Sequence, residues 1–499
     1  MVSNGTDNSK QNSPNDQINY YGIVASLIYI IIILAFGLPI WWTTTSPLRH
    51  SLPDISSLLV HSQRIVHSFP VNIIVLDDSI ERDELRSQLS QNYKNRITSE
   101  ITYEYDWYIR PSKQKEEEIF NRKSASLEEI DQLLNSVDGN NVFGKIWIYI
   151  LAEGSSLIKG NQQYLIGKNR FAYIRNDGQI REDKSLVELI MEIVETTEST
   201  SLNALKSKMT NYLLEPEIDL IINIINEDEE KSIRDKIEQI HLISEEAMGS
   251  RSGINQLVKV NVISQVLHYV VDEKFINNQL INKNDQPNVR LFNISHVPEL
   301  LNVFESRIVE HNNKQSFHIF IYIPSSAKPL FFYDNKTDIK SNFIMTPYRG
   351  GILSWNQPND FVNGFRKFIR NIIAFSQSTD RNIYLHFDIF FSKWELDGII
   401  RAVNQLQLSK TLSSLESISK LILKVKNIVI LEEIAKRMHD AVDLSHQSID
   451  LLAQANLSEA FKLSSRAYIS SETAFFDPSL LELLYFPQDQ KYAVYFPLF

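Results

Sequence analysis

The sequence predicts an α/β protein with an N-terminal transmembrane helix, a large mixed α/β domain and a C-terminal helical layer. Three observations carry that prediction. One apolar, charge-free stretch lies near the N-terminus; short runs rich in Ile, Val and aromatic residues then alternate with amphipathic stretches; and beyond Trp394 the alternation gives way to sustained helical periodicity.

The first element is the apolar stretch. From Gln17 to Leu48 there is no Asp, Glu, Lys or Arg. About 20 helical residues span a ~30 Å hydrocarbon core, so residues 20–42 suffice for one crossing. Tyr20, Tyr21, Trp41 and Trp42 stand at its ends, where aromatics occupy the membrane interface. A cleavable signal peptide would need a basic n-region, whereas Lys10 stands between Asp7 and Asp16, and no small-residue cleavage site follows Trp42. Residues 1–19 are polar and read as a disordered tail. Lys10 on one side and Arg49 and Arg64 on the other leave the orientation undetermined by charge.

Residues 43–70 read as a linker with Pro47 and Pro53, followed by a helix to about His67. The α/β domain occupies 71–390. Its strand-like runs are Val71–Leu76, Ile101–Ile109, Lys145–Leu151, Ile218–Ile225, Asn261–Val270, Phe317–Ile323, Phe331–Tyr333 and Gly351–Trp355. Helices are expected at Ser126–Leu134, Ser185–Thr196 and Ser201–Leu213, and the charged run Glu227–Glu238 reads as a turn and a solvated helix start. Such interspersion gives a mixed sheet flanked by helices. Over 391–476 a capping box from Ser392 to Glu395 opens a stripe of Leu396, Ile399, Val403, Leu406, Leu412, Leu415, Leu421 and Val425. A second stripe runs Leu431, Ile434, Met438, Val442, Ser445, Ile449 and Leu452, and a third helix is expected from Ser458 to Thr473. Stripes of this kind make a helical hairpin or three-helix layer, and Phe475-Phe476-Asp477-Pro478 is expected to seal it against the sheet.

Composition narrows the function. The net charge of −11 argues against nucleic acid or anionic lipid as the main partner of the soluble part, since both attract clusters of Lys and Arg. With no cysteine in 499 residues, the chain can supply neither a thiolate nucleophile nor a Cys-ligated metal site. Three sequons beyond the apolar stretch, at Asn293, Asn335 and Asn456, are candidates for N-glycosylation; a fourth begins at Asn4. An α/β domain behind one anchor also suits an independent type II luminal enzyme such as a glycosyltransferase. No Asp-x-Asp is present to hold a divalent cation against a diphosphate, and Asp77-Asp78 at a strand end reads as a turn. Ser295-His296, adjacent in sequence before Pro298, reads as structural. His386 with Asp388 is two ligands of an incomplete metal set. No catalytic, metal or cofactor motif emerges.

The C-terminal run from Ser470 through Phe475-Phe-Asp-Pro478 to Tyr495-Phe-Pro-Leu-Phe499 is long and unusual. Together with Gly37-Leu-Pro-Ile-Trp-Trp-Thr-Thr-Thr45, Gly350-Gly-Ile352 and Trp394-Glu-Leu-Asp397, in that order and spacing, it resembles the PIG-S family. Members of that family are subunits of glycosylphosphatidylinositol (GPI) transamidase. The resemblance implies an endoplasmic reticulum membrane protein with a cytosolic tail at 1–19 and a luminal bulk. It implies a non-catalytic subunit required for attaching preassembled GPI to proprotein C-termini, with the chemistry on a cysteine-protease-like subunit, PIG-K. PIG-K, PIG-T, PIG-U, the GPI-anchor attachment protein and membrane lipid are the implied partners, with substrates contacted at most indirectly. Family members carry a second membrane helix just past the Tyr-Phe-Pro-Leu-Phe end, so 477–499 is expected to be its lead-in.

Overall fold

The computed structural model describes residues 14–37, 39–40, 50–62, 65–77, 79–97, 101–122, 126–137, 143–152, 155, 157–158, 162–176, 185–206, 213–214, 217–226, 233–248, 258–268, 270, 273–281, 288–306, 308, 316–324, 329–346, 350–357, 362–366, 369–370, 391–424 and 430–482. They cluster into two units, one from 1–53, 417–439 and 473–499, the other from 54–416 and 440–472.

In the first unit, helix α1 spans Pro14–Ile32 and continues as a π-turn over Ile33–Gly37. Among the described residues no helix is long and apolar enough to cross a membrane. The expectation of one spanning helix at 20–42 is corrected to that extent, for two local reasons. The α-helix begins at Pro14, so its first turn carries the polar residues Asn15, Asp16 and Gln17. At the other end Pro39 has no N–H to give the Ala35 carbonyl, and the α-ladder has already widened to π geometry. The apolar side chains are nonetheless turned outward: Ile23 is 61% exposed and Phe36 65%.

The second unit opens with α2 (Ser56–Ser62), started by Asp54, whose Oδ1 accepts from Ser56 N at 2.9 Å. Strand β1 (Val66–Val75) follows directly, so the helix expected to His67 ends a turn early. Pro70 hid this strand. It is tolerated there because β4 (Ile146–Ile150) pairs with β1 only from Val71 onward, leaving Pro70 with a neighbour on one side. With β2 (Asn95–Ile97), β3 (Thr102–Pro111), β5 (Tyr164–Ile166) and β6 (Phe171–Ile174) they form a six-stranded sheet in the order β2-β3-β1-β4-β6-β5. The four inner strands are parallel and the outermost two antiparallel. Parallel strands need crossovers, supplied by α3 (Arg82–Asn92), α4 (Gln114–Phe120) and α5 (Leu127–Asn135). The cap of α5 is Ser126, whose hydroxyl accepts from Glu129 N while Glu129 reaches back to Ser126 N, both at 3.2 Å.

Helix α6 (Leu186–Lys206) is continuous where the sequence predicts two helices. In its Ser/Thr-rich middle the Thr196, Thr197 and Ser199 hydroxyls donate to the carbonyls of Glu192, Val194 and Thr196 at 2.7–2.8 Å, so these polar groups are satisfied within the helix. After it come β7 (Glu217–Asn226), α7 (Ile233–Met248), β8 (Lys259–His268), α8 (Glu273–Asn278), β9 (Leu280–Ile281), β10 (Arg290–Asn293), α9 (Val297–Glu305), β11 (Ser316–Ile323), β12 (Leu330–Asp334), β13 (Ile339–Ser341), β14 (Phe343–Thr346) and β15 (Gly350–Ser354). A five-stranded sheet runs β14-β15-β11-β7-β8, and a small one runs β13-β12-β10-β9.

The two large sheets repeat one plan. Numbering the parallel strands of each in chain order, β1, β3, β4, β6 and β7, β8, β11, β15, both lie in the spatial order 2-1-3-4. In each, an antiparallel hairpin strand precedes the fourth and pairs outside it, β5 on β6 and β14 on β15. Strands covered on both faces read as continuous apolar runs, and all five residues of β4 and nine of the ten in β7 are buried.

The C-terminal helices are α10 (Lys393–Lys424), α11 (Glu432–Ala453), α12 (Leu457–Phe475) and the short α13 (Pro478–Glu482). Ser464 Oγ donates to Gln407 Oε1 at 2.6 Å and Ser414 Oγ to Glu472, so α10 and α12 run parallel. Ser448 Oγ donates to the Ala460 carbonyl at 2.8 Å across the α11–α12 turn, so α11 runs antiparallel. The expected stripe of α11 is buried from Ile434 to Leu452, but Leu431 at its head is 41% exposed. Phe476 is 65% exposed, so it does not act as the expected seal.

Candidate functional site

A cluster of buried polar groups lies where the first turns of α10 meet the six-stranded sheet. Trp394 enters the apolar core made by β1, β3, β4 and α6, and its Nε1 donates to the Gly167 carbonyl at 3.0 Å. Lys393 N donates to the Lys168 carbonyl at 2.9 Å. Asp397, 5% exposed, accepts from Arg170 Nη2 at 2.7 Å and from Gly144 N at 3.0 Å. One turn on, Arg401 donates to the carbonyls of Gly144 at 2.8 Å and Ser68 at 3.2 Å, with its guanidinium over the Phe69 ring. Of the predicted capping box only one arm forms: Ser392 N donates to Glu395 Oε2 at 2.7 Å. Glu395 is held from its other side by Arg370, Nη1 to Oε2 at 3.1 Å.

Gly167 and Asp131 explain each other. A Cβ on Gly167 would fall 2.3 Å from Asp131 Oδ1, so only glycine lets the β5–β6 turn close over that carboxylate. Asp131 accepts from Asn169 N and Tyr173 OH, each at 3.2 Å, and burial raises its pKa to about 6. Burial likewise pushes the Tyr173 phenol up, and lowers the Lys393 ammonium, which sits at 2.7 Å from Asn135 Oδ1. His67, fully buried, is pushed down to about 3 by burial and by Arg401. The two carboxyl and imidazole shifts act oppositely on stability. A raised carboxyl favours the folded state at low pH and is lost as pH rises from about 4 through 6, a span of about 2 pKa units or ~3 kcal/mol. The lowered imidazole favours the folded state above pH 6.5 and is lost as pH falls toward 3. Between pH 4 and 6 the two largely offset each other, so Asp131→Asn is expected to leave the His67 contribution uncovered and make stability rise with pH, measured as denaturant midpoints across that range.

These contacts seat the foot of α10 on the six-stranded sheet. The cavity beside it, lined by Phe69, Gly144, Thr197, Trp394 and Arg401, is about 10 Å³, room for one water, where small-molecule sites run to about 300–1,000 Å³. The other candidates that the structure describes are not among these contacts. Asp77 follows β1; its Oδ1 accepts from Ser79 N at 2.8 Å and its Oδ2 from Asn176 Nδ2 at 2.6 Å, as a turn residue does. Asp78, His386 and Asp388 lie outside the described residues, as do Trp41, Trp42 and Asn4. Ser295 and His296 form a 3₁₀ turn capped by Asn293, and His296 Nδ1 lies 3.4 Å from Glu299. Asn335 is exposed in the β12–β13 turn, and Asn456 is exposed at the start of α12. Tyr21 is 69% exposed on α1, the helix that also carries Tyr20.

The seam lies within the part of the chain that is related to known proteins. The family profile described as phosphatidylinositol-glycan biosynthesis class S protein matches residues 28–499. The chain belongs to the PIG-S family. It is 26% identical to the GPI-anchor transamidase component PIGS of Rattus norvegicus, over 95% of this chain and 92% of the relative. The Homo sapiens protein of the same name is 25% identical over the same shares. A GPI transamidase component PIG-S homolog from Schizosaccharomyces pombe is 23% identical over 99% of this chain and 83% of its own length. Within this PIG-S chain, Trp394-Glu-Leu-Asp397 is the foot of α10, and each of its polar members meets a partner far away in sequence. The Gly350-Gly-Ile352 motif opens β15, where Gly350 has φ +113° and a Cβ would lie 1.9 Å from the His318 carbonyl oxygen. Arg170, the counter-charge of Asp397, escaped the sequence reading because no local pattern marks it.

Proposed function

We propose that this chain is a non-catalytic, membrane-anchored subunit of GPI transamidase, required for attaching preassembled GPI to the C-termini of proproteins in the endoplasmic reticulum. The observation that carries this reading is the family match across residues 28–499, together with relatives named as components of that transamidase. The non-catalytic role draws support from the engagement of the buried charged groups with one another, and from the lack of any cysteine to act as a thiol nucleophile. PIG-K, PIG-T, PIG-U and the GPI-anchor attachment protein are the partners of the reading, with PIG-K supplying the chemistry. The alternative of an independent type II luminal glycosyltransferase is disfavoured by the relatives named as transamidase components, and the Asp77 oxygens are already taken by Ser79 N and Asn176 Nδ2.

In this reading the charge-free stretch anchors the chain at 20–42, with 1–19 cytosolic and the linker at 43–70, the α/β domain at 71–390 and the helices of 391–476 luminal. The outward apolar side chains of α1 favour a lipid environment for them. Cells depleted of the protein should accumulate GPI precursors and unprocessed proproteins, and normal surface anchoring after depletion would refute the function. The orientation has its own test. A glycosidase-sensitive mobility shift should be lost on mutating Asn293, Asn335 and Asn456 to Gln, with exposed Asn335 and Asn456 contributing most; a shift lost only with Asn4→Gln would reverse the topology.

A further inference from the structure

We infer that one end of the helical layer rests in the lipid headgroup region, with Leu423, Leu431 and Phe476 inserted among the lipids. The inference deepens the membrane-anchored reading above and rests on it. Because α10 and α12 run parallel and α11 antiparallel, the last turn of α10, the first turn of α11 and the corner from α12 to α13 share an end, and all three fall in the same compact unit. Each presents a large apolar side chain outward: Leu423 is 78% exposed, Leu431 41% and Phe476 65%. These are not frayed termini, since the neighbouring Ile422, Ile430, Ile434, Ala474 and Leu480 are all buried at 7% exposure or less.

Single exposed leucines are ordinary on any protein surface. What sets these three apart is their connection to the apolar stretch. The chain emerging from that stretch is fastened at this end: His50 N donates to the Ile430 carbonyl at 3.3 Å, and His439 Nε2 lies 3.3 Å from the Ser51 carbonyl oxygen. Ten residue steps separate Ile40 from His50, a reach of at most about 36 Å, so the end bearing the three side chains stays near the point where the apolar stretch finishes. Exposed Lys424 and Lys436 flank Leu423 and Leu431 in sequence, beside exposed Glu432 and a Glu433 that pairs with Arg437 at 2.7 Å. Exposed apolar tips with charged side chains of both signs beside them suit the headgroup region of a bilayer, with the apolar side chains supplying the affinity.

The absence of native cysteine makes the test direct. Full-length L423C and F476C, each labelled with an environment-sensitive fluorophore, are reconstituted into phosphatidylcholine–phosphatidylserine vesicles alongside Q447C, an exposed α11 position outside this end. The labels at 423 and 476 should shift to the blue and lose emission to shallow lipid-borne quenchers, while Q447C responds only to aqueous iodide. A chain that floats with vesicles but whose 423 and 476 labels behave like the Q447C label overturns this inference and leaves the anchor standing. A chain that does not float overturns the anchor, and the interfacial contact with it. Protection that appears only when other subunits are added assigns the patch to a protein interface and also overturns the proposal.

Discussion

Asp397→Ala is expected to destabilise the α/β body by about 3–5 kcal/mol, the cost of leaving a buried charge without its partner. Arg170 is 3% exposed, and Asp397 supplies its counter-charge while also accepting from the Gly144 amide. Near-UV circular dichroism through a denaturant titration reports the change, because Trp394 sits in the same seam. The pair is not required for its charge as such. Arg170→Met combined with Asp397→Leu, which removes both charges at similar volume, should recover most of the loss. A single variant no less stable than the parent would show that solvent reaches the pair and that the seam is looser than its geometry.

The second large effect is expected at Gly350. With φ at +113° and the His318 carbonyl oxygen 1.9 Å from any added Cβ, Gly350→Ala must either break the first β11–β15 pairing or move the backbone of β11. The strained backbone alone costs about 1–3 kcal/mol, and the clash adds to it, so a loss of roughly 4 kcal/mol or more is expected by thermal or denaturant unfolding. Gly22→Ala serves as the control, since nothing lies within 4 Å of its Cβ position.

Much of the α/β body was legible because its strands are covered on both faces and so read as unbroken apolar runs. Lys145–Leu151 and Ile218–Ile225 fall within a residue of β4 and β7. Short strands at sheet margins were not legible: β5, β9, β13 and β14 are two to four residues long, too short for any period to register. Helix α6 reads as two helices, Ser185–Thr196 and Ser201–Leu213, but runs unbroken through its Ser/Thr-rich middle to Lys206. The seam was half legible. The sequence placed Trp394, Glu395 and Asp397 in a family motif at the head of a helix, but their partners Gly167, Arg370 and Arg170 come from a β-turn and from another helix. Pairing of that kind is fixed by tertiary packing and has no signature along the chain.

Because α10 completes the core of the first sheet, the order in which the ribosome delivers the chain matters. Ser68 and Arg401 are separated by 333 positions, and the whole second sheet is synthesised between them. At about 5–20 residues per second, β1 waits on the order of tens of seconds for the helix that covers its polar start. During that interval the first repeat has its strands but lacks Trp394 and the counter-charge of Arg170, and is a ready client for chaperones. Truncated chains ending before α10 should therefore stay protease-sensitive throughout the first repeat, and those extended past Arg401 should become resistant in a single step.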